Sequence, residues 1–386
     1  MKKRSVYFNH AATSYPKPKS VIRAINKYLT EIAVGPGRGG HTLSRKAGRT
    51  IQEAKKIIAN FFGTDEINHF MYSMNVTYAI NLTLYALLRP FDHIVFTAAE
   101  HNAVLRPLRH MEKSHLIKLT CIECDKNGDL NMDQLKLAIE KKPQLVFINH
   151  SSNVTGNIFP IQEITELCRK KGVKIAIDAA QTAGFLPLNV KKLKCDFLFF
   201  TGHKSLLGPP GIGGVYIRHP HQLKAFFAGG SGGASESIYQ PLSLPEKFEP
   251  GTPNYLGLIG LAAGITYINR KGLVKLKQHK LKLLKYCLAE LKKIDAVILY
   301  GKKNIKKSTP VISFNVKQLL PGQVIAKLDN YGIAARGGLQ CAPLIHKALG
   351  TYPKGTIRVS FGEKNTLADV RYFIKALKEI IHKMGV

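Results

Sequence analysis

The chain has 386 residues, 45% of them hydrophobic, which is a globular composition with enough apolar material for a large core and two domains. Lysine and arginine number 57 against 25 acids, a formal charge of +32, and a field of that size attracts polyanions and acidic partners. No stretch approaches the roughly 18 consecutive apolar residues of a transmembrane helix. The opening MKKRSVYFNHAATS lacks the apolar run of a secretory signal. A cytoplasmic protein with no membrane partner is the expectation.

In chain order, helical periodicity marks 18–32, 45–61, 77–88, 131–141 and 161–171. Between and after these come β-rich runs: HIVFT (93–97), LIKLT (116–120), QLVFINH (144–150), KIAIDAA (174–180), DFLFF (196–200) and GIGGVYI (211–217). Strands alternating with helices predict an α/β fold whose mainly parallel sheet is covered on both faces. From about 218 the alternation breaks into a glycine-rich and then a proline-rich stretch, followed by a long helical pattern from 255. The tail reads helix, strand (310–316), helix (321–331), a GGLQCAP loop, strand (356–361) and helix (366–383), an α+β domain of its own.

Six cysteines in this length do not suggest a disulfide framework, and the lone Cys121/Cys124 pair lacks the second pair or histidines that a metal site needs. No metal is expected. Residues 271–307 hold twelve lysines and two acids. Lysines 275, 282 and 285 alternate with leucines at helical spacing, as on a solvated helix face, so nucleic acid is not the expected partner.

In a parallel sheet, ligands sit beyond the carboxyl ends of the strands. Glu100-His101-Asn102 follow the first of these strands, Asn153 follows the third, Asp178 and Gln181 end the fourth, and Thr201, His203 and Lys204 follow the fifth. A base, amides, an acid and a lysine converging on one edge fit pyridoxal phosphate. That cofactor needs a lysine for its Schiff base, a carboxylate to keep the pyridine nitrogen protonated, a stacked aromatic ring and a phosphate cradle. MNVTYAIN (74–81) opens a helix, whose free N–H groups suit a phosphate.

Ten ordered motifs carry a resemblance through almost the whole chain: YFNHAATSYPKP, PGRGGHTLS, TYAINL, EHNAVLRPL, HSSNVTGNIFPI, IDAAQTAG, FTGHKSLLGPPGIG, FEPGTPN, ARGGLQCAP and IRVSFGEKNT. On these the chain resembles the cysteine desulfurases of the class V aminotransferase superfamily, group II-like, with the PLP fold-type I. The resemblance implies a seven-stranded, mainly parallel sheet in a large cofactor domain (16–259), with a small α+β domain (1–15 and 260–386) carrying the Cys341 loop.

It also implies roles. Lys204 forms the Schiff base with His203 beside it, Asp178 pairs with the pyridine nitrogen, and Gln181 and Asn153 serve the ring oxygen and the substrate. His101 stacks on the ring and shuttles protons. Asn75, Val76, Thr77 and Thr201 bind the phosphate, and Thr252 reaches the phosphate of the other subunit, which makes a homodimer. Arg358, with Arg336, takes the substrate carboxylate. Cys341 attacks the sulfur of L-cysteine, a step that nearby positive charge favours by supporting a thiolate. Alanine leaves, and the persulfide passes to an acceptor protein.

The departures are Asn9-His10 in place of an aspartate and asparagine, Val76-Thr77-Tyr78 in place of two threonines and an acid, and Leu339-Gln340 in place of a histidine pair, a possible proton carrier. L-Selenocysteine as substrate, another class V reaction such as transamination or epimerisation, and a basic nucleic-acid-binding protein with a vestigial site are the alternatives. The pathway served, iron–sulfur cluster assembly among others, stays open.

Overall fold

The structure, a computed structural model, describes residues 5–36, 40–301 and 304–386. Residues 37–39 of the PGRGGHTLS motif, residues 1–4 of the expected small domain and Lys302 and Lys303 of the basic stretch lie outside the described residues.

The chain starts with a two-residue strand, β1 (Val6–Tyr7), and two helices, α1 (Lys19–Glu31) and α2 (Thr42–Phe61). The large sheet is then built from β2 (Phe70–Ser73), β3 (His93–Thr97), β4 (Lys118–Ile122), β5 (Leu145–Asn149), β6 (Lys174–Asp178), β7 (Phe197–Thr201) and β8 (Gly213–Ile217). Interleaved are α3 (Val76–Leu87), α4 (Asn102–His115), α5 (Met132–Glu140), α6 (Ile161–Lys170) and α7 (Val190–Leu193). The strand order is β2-β8-β7-β6-β5-β3-β4. Of its pairings, those of β8 with β2 and β7 are antiparallel and the others parallel. The expected seven-stranded, mainly parallel sheet is therefore present.

Every residue of β5 and β7 is buried, because helices cover both faces and leave no polar side for water. Alternate residues feed two cores. Val146, Ile148, Leu198 and Phe200 point toward α1, α2 and α8 (Tyr255–Lys271), whereas Leu145, Phe147, Phe197 and Phe199 point toward α3 and α4. On the second face Phe147 and Phe199 stack at 5.4 Å.

Four differences between sequence and structure bear on the large sheet and its core. First, α4 is a full helix where only a strand-end loop was expected. Pro107 inside it masks the pattern, although Val104, Leu105, Leu108 and Met111 have helical spacing and are buried. Second, β4 begins two residues later than LIKLT, in register with β3 from His93↔Lys118. Third, β2 was not anticipated, a four-residue strand being too short to carry a pattern. Fourth, the boundary at 259/260 falls inside α8, whose Leu261, Ala262 and Ile265 join the large-domain core. The change of core comes at Gly272, where φ is +83° and α9 (Leu273–Leu291) begins.

The second layer is a four-stranded sheet, β12-β13-β10-β9. Its parts are β9 (Val297–Tyr300), β10 (Val311–Val316), α10 (Pro321–Asn330), β11 (Ile333–Ala334), β12 (Arg336–Gly338), α11 (Pro343–Ala348), β13 (Thr356–Ser360) and α12 (Leu367–Lys383). Its core takes Leu284 and Cys287 from α9, Phe373 and Leu377 from α12, and Val6 and Phe8 from the N-terminal segment. β1 pairs with β11 in parallel, Val6 against Ile333. Lys275, Lys282, Lys285, Lys292 and Lys293 are exposed, as a solvated face requires. Lys280 is the exception. It is 4% exposed, 5.9 Å from the Phe185 ring centroid, and burial pulls its ammonium down to about 8.

Burial also holds five histidines neutral: His10 and His150 at about 3, and His101, His203 and His346 at about 4. An unfolded histidine titrates near 6.5. Between about 6.5 and 4 the unfolded chain therefore binds more protons than the folded one, and stability falls as pH falls. Glu100, raised to about 8 by burial, and Asp178 and Glu249, also raised, work in the opposite direction, but they are three groups against these five histidines, with His69 and His93 lowered by burial as well. The urea midpoint is expected to be lower at pH 5 than at pH 7; equal midpoints would mean that these rings are not held neutral.

Candidate active site

Because β3, β5, β6 and β7 run parallel, their carboxyl ends share one edge, and the residues after them face one another. Asp178 is 4% exposed at the end of β6, opposite Asn149 of β5. Its Oδ1 accepts from Ala180 N at 2.8 Å. Burial raises its carboxyl, while that hydrogen bond and Lys204 pull it back. Lys204 lies beyond β7 in a half-buried position, and among the described residues its Nζ has no hydrogen-bond partner. Burial lowers the amine to about 8 against the pull of Asp178, and Arg358 and Arg336 push it the same way. An amine so placed has a substantial neutral fraction near neutrality, the form in which it is a nucleophile and a base.

His101 caps α4, with its Nδ1 accepting from Ala103 N at 3.0 Å. That bond puts the proton of the neutral ring on Nε2. The ring is held at about 4 by burial first, then by Lys204, Arg336 and Arg358. Next to it, Asn102 N donates to Cys341 O at 2.7 Å, so the cysteine loop is fastened to the start of α4.

The residues expected at the phosphate are arranged around β8. Gly213 pairs with Thr201 on one side and Ser73 on the other. A Cβ at Gly213 would stand 2.9 Å from Phe200 O and 3.0 Å from Val76 N, so only glycine lets the start of α3 lie this close to β7. Asn75 caps α3 by accepting from Tyr78 N at 3.1 Å, and Ser73 Oγ donates to Asn75 O at 2.8 Å. The Thr201 hydroxyl is 1% exposed with no partner. Val76 is half-buried, and Thr77 and Thr252 are exposed. Thr252 lines a cavity of about 610 Å³ together with Ser73, Tyr78 and Asn254.

The arginines expected to take the substrate carboxylate lie on the four-stranded sheet. Arg358 on β13 is 1% exposed, and it donates from Nη1 to Asn153 O and from Nη2 to Asn9 Oδ1, each at 3.0 Å. Its Nε is buried without a partner. Arg336 on β12 stands directly opposite Arg358 in the antiparallel pair, and its Nη2 donates to Cys341 Sγ at 3.4 Å. Two guanidinium groups at facing positions repel, and an anion between them removes that cost. Asn153 gives Nδ2 to Gln340 O at 2.8 Å and keeps Oδ1 buried and unpartnered. Gln181 Nε2 donates to Ala11 O at 3.0 Å, and His203 O accepts from Ser14 N at 2.9 Å and Lys17 Nζ at 2.7 Å. The N-terminal segment thus closes over the loop that carries Lys204.

The donor set fits pyridoxal phosphate. A lysine without a partner and an unpaired Thr201 hydroxyl face a buried carboxylate and a helix start held close by a glycine. Beside the residues singled out in the sequence, the structure shows three supports that the sequence did not reveal. Asn9, noted only as a departure, is a hydrogen-bond acceptor for Arg358. Gln340, noted as a lost histidine, is 2% exposed and bonded into the scaffold. His346, which bears on Gln340 from α11, carried no local motif.

The sequence profile of the aminotransferase class-V family matches residues 6–373. A probable cysteine desulfurase of Pyrococcus abyssi is 36% identical over 391 aligned positions, covering 98% of this chain and 95% of that protein. One of Halalkalibacterium halodurans is 33% identical, covering 98% and 94%. The apo structure of a cysteine desulfurase from Thermococcus onnurineus superposes with a TM-score of 0.93 at 36% identity, covering 98% of this chain and 95% of that one. The Escherichia coli cysteine desulfurase CsdA gives 0.89 at 25% identity over the same shares. With that profile spanning residues 6–373 and relatives above 30% identity over nearly the whole chain, the chain belongs to the aminotransferase class-V family.

Proposed function

We propose that this chain is a cysteine desulfurase: it takes L-cysteine, releases L-alanine and keeps the sulfur on Cys341 as a persulfide. The observation that carries the reading is the position of Cys341, with its sulfur 3.4 Å from Arg336 Nη2 and its carbonyl tied to Asn102 beside His101. Pyridoxal phosphate, held by Lys204, Asp178 and the Asn75–Thr77 cradle, supplies the withdrawal of electrons from the α-carbon of the bound amino acid.

The chain's own groups do the rest. Arg358, with Nε and further N–H groups free, binds the substrate carboxylate, and Arg336 across the sheet shares that charge. Asp178, buried opposite Lys204, provides the negative charge a pyridine nitrogen needs. Lys204, lowered to about 8, takes and returns a proton at the α-carbon. His101, with its proton on Nε2, donates where charge develops. Arg336 gives a charged N–H to the Cys341 sulfur as that sulfur attacks the substrate sulfur. A sulfur–sulfur bond forms, the carbon–sulfur bond breaks, and the β-carbon takes up the proton. The cysteine thiol is oxidised to the persulfide level while that carbon is reduced, so no external oxidant is needed.

Two further parts of the reading concern partners. Thr252 lies exposed at a cavity beside the phosphate cradle, with Met74 and Tyr78 exposed around it; this supports a homodimer in which Thr252 serves the neighbouring site. A half-exposed Cys341 suits hand-over of sulfur to an acceptor protein. Among the described residues no helix is long and apolar enough to cross a membrane, and the reading places the enzyme in the cytoplasm.

After brief exposure to L-cysteine, the intact mass of the protein is expected to rise by one sulfur atom mapping to Cys341, with alanine released. Cys341→Ala should lose the added sulfur and most alanine release. A protein that processes L-cysteine with no sulfur on Cys341 would bring the other class V reactions forward. Arg358→Lys keeps a charge but not the planar fork, and KM for L-cysteine is expected to rise by about tenfold or more. An unchanged KM would remove Arg358 from substrate binding.

A further inference from the structure

Gln340 and Cys341 have φ of +44° and +61°, two consecutive side-chain-bearing residues in the left-handed region. A Cβ disfavours that region, so the conformation persists only where its surroundings enforce it. The backbone is tied on both sides: Asn153 Nδ2 donates to Gln340 O at 2.8 Å, Asn102 N to Cys341 O at 2.7 Å, and Ala342 N to Leu339 O at 2.9 Å.

The Gln340 side chain points away from the sulfur, into the small domain. Its Nε2 donates to Thr356 O at 2.7 Å, and its Oε1 accepts from His346 Nε2 at 3.0 Å and from Thr356 Oγ1 at 3.3 Å. His346 is 0% exposed; because the Gln340 oxygen can only accept, the ring proton sits on Nε2, and Nδ1 is left to accept from Thr351 Oγ1 at 2.7 Å. Thr356 begins β13, the strand that carries Arg358, and its Oγ1 lies 3.2 Å from Ser313 Oγ.

Resting on the desulfurase reading above, we propose that Gln340 is the positioning residue for sulfur transfer: its amide, locked by His346 and Thr356, holds Cys341 as a fixed arm in register with the strand that binds the substrate carboxylate. Cys341 and Arg358 then share one rigid element. The distance from attacking sulfur to bound substrate is set by that element, and loop motion does not set it. A misplacement of about 1 Å costs about a hundredfold in rate, whereas substrate binding at Arg358 needs no contact with the Gln340 side chain.

The test compares holoenzyme variants by KM against kcat. Gln340→Met keeps the volume and removes all three side-chain bonds. His346→Phe keeps Gln340 and removes one donor. For Gln340→Met, kcat for persulfide formation is expected to fall at least about tenfold with KM for L-cysteine within about threefold. His346→Phe should show the same split, smaller. Exchange of the α-hydrogen of L-alanine in D2O, which needs no sulfur attack, should fall far less than kcat.

An unchanged kcat, or a parallel fall of kcat and alanine exchange, would overturn the inference. If neither variant folds, the wild-type protein still decides: a fixed arm predicts slow exchange of the Ala342 amide, and exchange at the rate of a free loop defeats it. A wild-type enzyme that puts no sulfur on Cys341 overturns the desulfurase reading and the inference with it. Wild-type sulfur transfer with unaffected variants overturns the inference alone.

Discussion

Arg358 carries its charge into the seam between the two domains, where it is 1% exposed. A buried guanidinium without partners would cost several kcal/mol, and two other parts of the chain keep that cost down. β13 carries the residue, the loop after β5 offers Asn153 O, and the N-terminal segment offers Asn9 Oδ1. These parts lie far apart in sequence, so the site can form only when both domains and the N-terminal segment are in place.

Arg336, facing Arg358 across the sheet, makes the seam more positive than it can comfortably be. Lys204 adds to the excess, and Asp178 is its buried counterweight. Burial and positive neighbours together keep Lys204 near the boundary between charged and neutral, and they keep His101 neutral outright. The same excess welcomes an amino-acid carboxylate and a phosphate. On the proposed reading, one electrostatic arrangement serves substrate binding, proton transfer and the sulfur that Arg336 contacts.

Position relative to strands decided which residues were legible in the sequence. His101, Asn153, Asp178, Thr201 and Lys204 each follow a recognisable apolar run, and parallel pairing brings such positions to one edge. Gln340 and His346 escaped because their meaning lies in each other. An amide and an imidazole on a turn and a short helix have no pattern until the fold brings them within 3.0 Å. α4 escaped because a proline inside it counts against a helix, a local penalty that packing of Val104, Leu108 and Met111 overcame.

The sequence by itself determined the alternation of buried strands and amphipathic helices, the residues at the strand ends and the family pattern that relates them. These are local properties, written in periodicity and in residue type. Only the tertiary structure decided that Arg336 faces Arg358, that Asn9 accepts from Arg358, that α8 packs with the large core and that the cysteine turn is locked from behind. Each of those depends on contacts between segments that are distant in sequence. Register and close approach set such contacts, and neither is visible along one strand of text.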